Sequence, residues 1–429
     1  MEKIVSLCKR RGFIFQSSEI YGGLSNSWDY GPLGAELKNN IKHFWWKKFV
    51  QSRDDMVGID ASLIMNPKVW EASGHLKEFA DPLVECKKCH KRFRFDEIVN
   101  PKSEIRNPKC PECGGVLTEA RQFNLMLKTF LGPAEDQADI AYFRPEIAQA
   151  MFVNFKQALN TARKKLPFGI ASQGKAFRNE ITPGNFIFRT REFNLMELEY
   201  FIEEKEWKKW FEYWRSEMRE WLKDLGVSPK KIHEVEIADD ERAHYSKKTV
   251  DFEYEYPFGR KELYGLAYRA DFDLKNHFKE PPYKEEGVDA FFPHVIEPTF
   301  GLDRSVLVAL LESYKEEEKR VVLRLPIKLA PYRAAVFPLL ANKPGLVALA
   351  RKIYDDLRQD FMVDFDDRGN IGKRYFSQDE IGTPYCITVD FDSLEKNDVT
   401  IRDRDTMKQE RVKINDLAKI LKEKSENVL

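Results

Sequence analysis

The sequence lacks the features that mark several large classes of protein. Its 70 basic and 70 acidic residues cancel, so the chain carries no net charge. A protein that coats nucleic acid non-specifically is usually basic overall, so any contact with RNA or DNA must come from local patches. No apolar run reaches the length of a membrane span, and the first residues lack the pattern of a secretory signal. We therefore expect a cytoplasmic protein without a membrane segment.

Two further absences concern phosphate binding and cysteine. The chain has no G-x-x-x-x-G-K-[ST] loop and no G-x-G-x-x-G turn, so a nucleotide site would have to be built on a sheet by arginines. Cysteine occurs only six times in 429 residues, and four of the six form two C-x-x-C pairs. In an intracellular protein this usage favours a metal site over a disulfide framework.

The two cysteine pairs have the spacing of a zinc ribbon. They are Cys86-x-x-Cys89 and Cys110-x-x-Cys113, with 20 residues between the inner cysteines. Four thiolates complete a tetrahedral site and leave no open position for catalysis, so the predicted Zn²⁺ is structural. Lysines and arginines around the first pair make the ribbon basic. Two interpretations of these basic residues are equally good: they contact a phosphate backbone, or they form a solvated charged surface.

The length allows two or three domains, and 42% hydrophobic residues supply an ample core. Apolar residues at helical spacing predict helices over 33–52 and 203–225, and we interpret the tryptophan-rich stripe of the second helix as core. Pro326 and Pro331 mark a boundary. Beyond it, the pattern β-α-β-α-β predicts a separate domain of about 100 residues, a typical domain size.

The stretch 177–201 is the most informative part of the chain. It predicts two strands around a short hairpin, with arginines and glutamates alternating with apolar residues. A guanidinium can hold a phosphate through two parallel hydrogen bonds, and the ring of Phe193 offers a surface on which a base can stack. Cross-strand ion pairs on a solvated hairpin explain the same pattern, so the spacing alone leaves both interpretations open.

Two more segments place charged residues at the ends of strands. The run Arg144-Pro145-Glu146 leads from a strand into a helix, and Glu297 to Arg304 leads through a glycine-bearing turn into a buried helix. A basic residue in the first turn of a helix does not complement the helix dipole, which suggests that Arg304 faces a ligand.

These segments together resemble the signature motifs of class II aminoacyl-tRNA synthetases. F-R-N-E (177–180) with R-T-R-E-F (189–193) is similar to the second motif, and G-L-D-R (301–304) is similar to the third. The runs R-P-E-I-A-Q, V-I-E-P, W-D-Y-G-P-L-G and M-N-P-K-V-W-E-A-S-G-H resemble the dimeric glycyl-tRNA synthetases. The resemblance extends from about residue 10 into the C-terminal domain.

The resemblance implies an α+β catalytic domain over 1–325, an antiparallel sheet flanked by helices with a small zinc-ribbon insertion at about 84–116. It also implies a C-terminal α/β anticodon-binding domain over 326–429. The expected reaction joins glycine to tRNA(Gly) through glycyl-adenylate, with ATP and Mg²⁺ as substrate and metal. The expected assembly is a homodimer.

The resemblance also assigns roles to individual residues. Arg178 would hold the α-phosphate of ATP during attack by the glycine carboxylate, and Phe193 and Arg304 would enclose the adenine; Arg178 and Arg304 are the expected catalytic residues. The ATP site would also include Asn179, Glu180, Phe188, Arg189, Glu262, Leu263 and Gly301. Glycine would be bound by Arg94, Glu146, Glu197, Glu297 and Thr299, with the three glutamates around the ammonium group.

Three positions depart from the family pattern. Ser62 stands where the first motif usually has proline, and Gly184 stands where many relatives have an arginine for the γ-phosphate. Thr299 stands where serine is frequent, and its additional methyl group would narrow the amino-acid pocket.

Two alternatives to glycine activation are a non-catalytic synthetase-like RNA-binding protein and a synthetase for serine, threonine or proline. A non-catalytic relative is expected to lose the arginines, yet Arg178, Arg189 and Arg304 are all present. Three glutamates at one small site favour glycine, because binding then depends on the charge at the ends of the amino acid.

Overall fold

The computed structural model describes residues 1–98, 108–133 and 139–426. Its first range contains helices α1 (Glu2–Arg11), α2 (Pro32–Trp46), α3 (Pro67–Ala72), α4 (His75–Glu78) and α5 (Phe95–Ile98), and strands β1 (Ile14–Gln16), β2 (Trp28–Tyr30), β3 (Met56–Ile59), β4 (Ile64–Met65), β5 (Ala80–Glu85) and β6 (Arg92–Arg94). The predicted helix over 33–52 is confirmed, with a last turn, Lys47–Gln51, that is π-helical. Part of the predicted insertion (99–107), residues 134–138 and the last three residues lie outside the described residues.

The middle of the chain supplies most of one large sheet. The strands of this part of the chain, not all of which belong to that sheet, are β7 (Arg121–Asn124), β8 (Lys128–Phe130), β9 (Ile140–Phe143), β10 (Phe168–Phe177), β11 (Glu192–Ile202), β12 (Ile232–Glu236), β13 (Lys248–Tyr256), β14 (Gly259–Ala270), β15 (His294–Gly301), β16 (Tyr314–Glu316) and β17 (Val321–Leu323). The helices of this part are α6 (Ala148–Val153), α7 (Phe155–Ala162), α8 (Trp207–Asp224), α9 (Phe272–His277) and α10 (Leu302–Ser313). The seven-stranded sheet has the order β12-β13-β14-β15-β11-β10-β3. All its pairs are antiparallel, as predicted, except the edge pair β3–β10, which is parallel.

The two faces of this sheet have different chemistry. Because successive strand residues point to opposite faces, Met196, Leu198 and Tyr200 of β11 share one face, while Glu197 and Glu199 share the other. The apolar face packs against helix α8, where the Tyr200 ring lies 5.2 Å from the ring of Trp214. Trp214 and Trp221 are fully buried, as the core interpretation of the tryptophan stripe predicts. The acidic face is the one that carries the candidate site.

The predicted hairpin over 177–201 is correct in its pairing and wrong in its bounds. Strand β10 ends at Phe177 and β11 begins at Glu192, so residues 178–191 form a long loop where a short one was expected. The ladder stops because the Asn179 N–H donates to the Leu125 carbonyl (2.8 Å), outside the hairpin, and Pro183 has no N–H to donate. The motif-2 arginines and Glu180 therefore sit on a loop, where their side chains are not restricted to alternate faces.

The C-terminal region forms a second sheet with its own apolar core. It contains β18 (Ala334–Pro338), α11 (Pro344–Leu357), β19 (Val363–Phe365), α12 (Ile371–Ile381), β20 (Tyr385–Val389), α13 (Phe391–Lys396), β21 (Asp398–Asp403), β22 (Gln409–Lys413) and α14 (Leu417–Glu426). The order is β19-β18-β20-β21-β22, with the first three strands parallel. The predicted β-α-β-α-β pattern is confirmed, and α13 is an additional short helix. Across the described part of the chain, each helix is too short or too polar to span a bilayer.

Candidate active site

The strand register brings the site residues into rows across the acidic face of the large sheet. Glu197 of β11 pairs with Ser172 of β10 on one side and with Thr299 of β15 on the other. Gly265 of β14 pairs with Thr299 and extends the row. Because paired residues point to the same face, Glu197 and Thr299 form adjacent parts of one floor, with small residues on either side.

A cavity of about 260 Å³ opens above this floor. Twelve of the residues that the sequence assigned to the site line it: Arg94, Arg178, Glu180, Phe188, Arg189, Phe193, Glu197, Glu262, Leu263, Thr299, Gly301 and Arg304. Asn179, Glu146 and Glu297 do not line it, and the wall also includes Ile187, Thr190, Asn194, Leu195 and Asp303. The cavity therefore collects charged residues from segments that are far apart in the sequence.

Arg178 is held by one backbone carbonyl and by two aromatic rings. Its Nε donates to the Pro145 carbonyl (3.0 Å), and its guanidinium lies 5.3 Å from the Phe79 ring centre and 5.2 Å from that of Phe193. Contacts with aromatic rings orient a guanidinium without neutralising its positive charge, as a carboxylate would. This arrangement suits an arginine that contacts a phosphate.

Arg304 forms the opposite wall of the cavity. It lies 4.5 Å above the Phe188 ring, donates to the Glu262 carbonyl (2.9 Å) and forms an ion pair with the Glu262 carboxylate (3.1 Å). Burial alone would raise the pKa of Glu262, but the charge of Arg304 holds that pKa below its ordinary value. The ion-paired side chains of Arg304 and Glu262 together form this wall of the cavity.

On the same face of the sheet, next to the floor, a fully buried arginine pairs with several carboxylates. Arg269 donates through two nitrogens to Asp273 (2.7 Å each) and through a third to Glu297 (2.9 Å). Its guanidinium lies 3.6 Å from the Tyr245 ring centre, and its nearest contact with Glu146 is 4.0 Å. Glu146 and Glu297 are thus already close to a cation and do not line the cavity.

The glutamates differ in their pKa values because they differ in their partners. Glu146 lies 3.2 Å from His75 and accepts from Gln149 (2.9 Å); burial opposes ionisation, but His75 and Arg269 lower the pKa of Glu146. Burial raises the pKa of Glu297 to about 7, and burial together with the charge of Glu297 raises that of Glu197 well above its ordinary value. Glu197 is the glutamate of the floor that a bound cation would ionise.

Asp303 fixes the turn between β15 and α10 and was not assigned a role from the sequence. It accepts the Asn194 N–H (2.6 Å), the Tyr30 hydroxyl (2.5 Å) and the Lys38 ammonium (3.0 Å). These bonds tie the start of α10, and with it Arg304, to β11 and to the N-terminal segment.

The four predicted cysteines come together below a small sheet of order β6-β5-β7. Their sulfurs all lie within 4.8 Å of one another, with Cys86 Sγ 3.5 Å from Cys113 Sγ and Cys89 Sγ 3.7 Å from Cys110 Sγ. Backbone bonds from His90 N to Cys86 O and from Gly114 N to Cys110 O (2.9 Å each) close a tight turn at each pair. This donor set and spacing fit one tetrahedral metal ion.

Arg94 connects the cysteine cluster with the cavity. It ends strand β6, which follows the first cysteine pair, and its side chain lines the cavity while pairing with Asp81 (2.9 Å) and Asp96 (2.7 Å). The predicted proximity of Arg94 to the site is therefore observed in the structure.

Comparisons with known proteins decide the family. Residues 133–314 match the tRNA synthetase class II core domain (G, H, P, S and T), and residues 333–424 match the anticodon binding domain. A glycine–tRNA ligase of Alkaliphilus oremlandii (strain OhILAs) is 50% identical over 460 residues, which cover 99% of this chain and 98% of the relative. The chain belongs to the glycine–tRNA ligase family.

Other relatives in this glycine–tRNA ligase family agree. The protein of Geobacillus thermodenitrificans (strain NG80-2) is 50% identical over 456 residues, covering 99% of this chain and 97% of the relative. The protein of Treponema denticola (strain ATCC 35405) is 47% identical over 442 residues, covering 100% of this chain and 97% of the relative. The class II core that the sequence motifs predicted is confirmed.

The sequence reading of the glycine–tRNA ligase motifs missed Arg269, Asp273 and His75. The signal for the first two was an arginine inside the buried strand 263–270, followed four residues later by an aspartate. His75 stands in the M-N-P-K-V-W-E-A-S-G-H run, which identified the family without revealing a contact.

Glu199 gives a prediction about stability and pH. It is fully buried, and within the described residues neither carboxylate oxygen has a hydrogen-bond partner. Burial raises the pKa of Glu199 well above its ordinary value. As pH rises above about 4.3, the unfolded chain loses this proton and the folded chain keeps it, so the free energy of unfolding falls. Glu199→Gln removes this loss.

We therefore expect Glu199→Gln to unfold at a higher temperature than wild type at pH 8 and to exceed wild type by much less at pH 5, which is only just above the pKa of the unfolded carboxyl. Thermal unfolding followed at several pH values measures the difference. Glu119→Gln, at an exposed carboxylate, is the control and should show no such trend. A Glu199→Gln difference that stays constant from pH 5 to 8 would contradict the neutral state of Glu199.

Proposed function

We propose that this chain activates glycine with ATP, forming glycyl-adenylate and pyrophosphate, and transfers the glycyl group to the 3′ end of tRNA(Gly). The observation that carries the proposal is the floor at Glu197 and Thr299, placed directly beside a cavity walled by Arg178 and Arg304. An amine-binding carboxylate and a phosphate-binding arginine on one cavity are the parts that adenylate formation requires.

The chemistry of the floor fits glycine. The amino acid has no side chain to bind, so affinity comes from its charged ends, and Glu197 is available to its ammonium group. A pocket excludes a larger amino acid by lack of room much better than it rejects a smaller one. The methyl group of Thr299, beside Glu197, supplies such a steric limit.

The cavity supports the activation step without a protein nucleophile. The glycine carboxylate attacks the α-phosphorus of ATP, a bond forms to that phosphorus, and pyrophosphate leaves with the electron pair. Arg178 is placed to stabilise the charge that develops on the phosphate, while Phe193 and Arg304 are placed to hold the base. Mg²⁺ would supply further positive charge to the phosphates, and Glu180 and Glu262 offer suitable oxygen ligands on the wall.

The division of the chain is part of the proposal. We assign catalysis to residues 1–325 and anticodon binding to residues 326–429, which agrees with the separate C-terminal sheet and core. The matched ranges, 133–314 and 333–424, support this boundary. The homodimer and the cytoplasmic location stay predictions.

The direct test is glycine-dependent exchange of pyrophosphate into ATP by the purified chain. We expect exchange with glycine and little with alanine or serine, followed by charging of tRNA(Gly) transcript. Absence of exchange would favour a non-catalytic RNA-binding protein. Preference for serine, threonine or proline would favour a synthetase for another amino acid. The presence of Arg178, Arg189 and Arg304 around one cavity favours the enzyme.

We also propose that the four cysteines bind one structural Zn²⁺. Cys86→Ser should lose the metal and loosen the β5–β6 hairpin, because four thiolates are needed to close the site. Metal analysis of the purified protein should give about one zinc ion per wild-type chain and almost none per Cys86→Ser chain. Cys8→Ser is the matched control, since Cys8 lies in the main apolar core, outside the group of four cysteines, and its loss should leave the zinc content unchanged.

A further inference from the structure

A buried histidine outside the assigned site contacts one of the site glutamates. His75 is only 2% exposed, and its Nε2 lies 3.2 Å from a carboxylate oxygen of Glu146. A carboxylate only accepts hydrogen bonds, so the proton must be on Nε2. The ring is confined by Trp70 at 5.6 Å and Phe79 at 5.3 Å between ring centres.

The other nitrogen of the ring is also occupied. His75 Nδ1 lies 2.8 Å from the Ser73 hydroxyl, which is fully buried. Nδ1 shares a hydrogen bond with the Ser73 hydroxyl, whichever of the two carries the proton between them. The two contacts together fix the ring orientation, as in other sites where a histidine is oriented by a second group.

The Ser73–His75 segment is itself anchored beside Arg269. His244 Nε2 lies 3.2 Å from the Ser73 carbonyl, and the next residue, Tyr245, covers the Arg269 guanidinium. Gly74 has a φ of +82°, and a Cβ added there would lie 3.3 Å from His244 Nε2. The conformation of this turn thus helps to fix the position of His75 relative to Glu146.

Glu146 in turn lies in a segment that contacts the floor glutamate. Ile147, the next residue, donates its backbone N–H to Glu197 (3.3 Å). Glu146 is also held by Gln149, which in turn donates to Asp273 (2.9 Å). A shift of Glu146 would therefore move the donor on which Glu197 depends.

We propose that His75, oriented by Ser73, is a positioning residue that holds Glu146 and thereby sets the geometry of the ammonium pocket at Glu197. The inference rests on the proposed function, since it assigns the effect to glycine binding. Arg178 contacts Phe193 as well as Phe79, the ring that also packs against His75, so the ATP part of the cavity should respond less than the ammonium pocket.

Two substitutions of His75 separate positioning from simple packing. In His75→Gln the side-chain amide nitrogen takes the place of Nε2 and can still donate to Glu146. In His75→Asn the amide reaches only the level of Nδ1, so the contact with Ser73 can form and the contact with Glu146 cannot. Both changes remove the ring, and packing alone would affect them similarly.

The test is glycine-dependent pyrophosphate exchange, measured with glycine and ATP varied separately. We expect His75→Asn to raise the KM for glycine about tenfold, the loss typical of removing an orienting hydrogen bond to a charged group, while the KM for ATP changes by less than about twofold. His75→Gln should stay close to wild type in both, and Ser73→Ala should fall between the two variants.

The outcomes are distinguishable. An unchanged KM for glycine in His75→Asn, or equal loss in His75→Gln and His75→Asn, would overturn the positioning role. A parallel rise in the KM for ATP would also overturn it, because the whole cavity would then be disturbed. If the wild-type chain shows no exchange with glycine but exchanges with another amino acid, the proposed function fails, and this inference fails with it.

Discussion

Arg178→Ala should lower kcat for glycine activation about 10²–10³-fold, by analogy with the loss of one oxyanion donor. The guanidinium lies between Phe79 and Phe193 at the cavity wall, where a phosphate contact would strengthen as charge develops in the transition state. Single-turnover formation of glycyl-adenylate measures the effect directly. Thermal unfolding should be recorded in parallel, because the alanine also removes packing against the two rings.

Two further variants sharpen this prediction. Arg178→Lys keeps the charge but loses the planar two-point contact, so it should recover only part of the rate. Arg191→Ala removes another arginine of the same loop, whose guanidinium donates to the exposed Ser25 carbonyl (3.4 Å) and does not line the cavity. We expect the Arg191→Ala rate to stay within about twofold of wild type, since surface contacts contribute little. A kcat for Arg178→Ala close to that of wild type would refute the assigned role.

Arg269→Met should lower the free energy of unfolding by about 3–5 kcal/mol, the cost of leaving buried charges without their partner. Arg269 is fully buried and forms ion pairs with Asp273 and Glu297, so its loss leaves these buried carboxylates without a cation next to the site. The eight tryptophans all lie between positions 28 and 221, so tryptophan fluorescence during urea unfolding reports on the region that contains the large sheet. Glycine activation should be lost at the same time.

The design includes a compensating variant and a matched control. Arg269→Met with Asp273→Asn should regain part of the lost stability, because one of the unpaired charges is removed. Arg260→Met lies on the same strand, where the half-exposed Arg260 side chain pairs with Glu253 (2.6 Å), and should cost less than about 1 kcal/mol. Equal stability of Arg269→Met and Arg260→Met would contradict the neutralising role of Arg269.

The sequence predicted the outline of the fold well because its signals are local. The helix over 203–225, the strand and helix around 294–304 and the C-terminal alternation of strands and helices follow from periodicity and from glycine and proline at the ends. The hairpin bounds were wrong because the loop 178–191 is held by contacts with distant segments. Asn26, for example, donates to the carbonyls of Phe186 (3.0 Å) and Arg189 (2.6 Å).

The sequence by itself determined the family, the cysteine cluster and most of the residues around the cavity. Short motifs carry those residue types, and the chemistry of each type is independent of its surroundings. Only the tertiary structure decided which glutamates already have side-chain partners: Glu146 contacts His75 and Arg269, and Glu297 contacts Arg269, while Glu197 lies on the floor beside Thr299. Burial and the distance to a countercharge set the state of a carboxylate, and both depend on segments that are far apart along the chain.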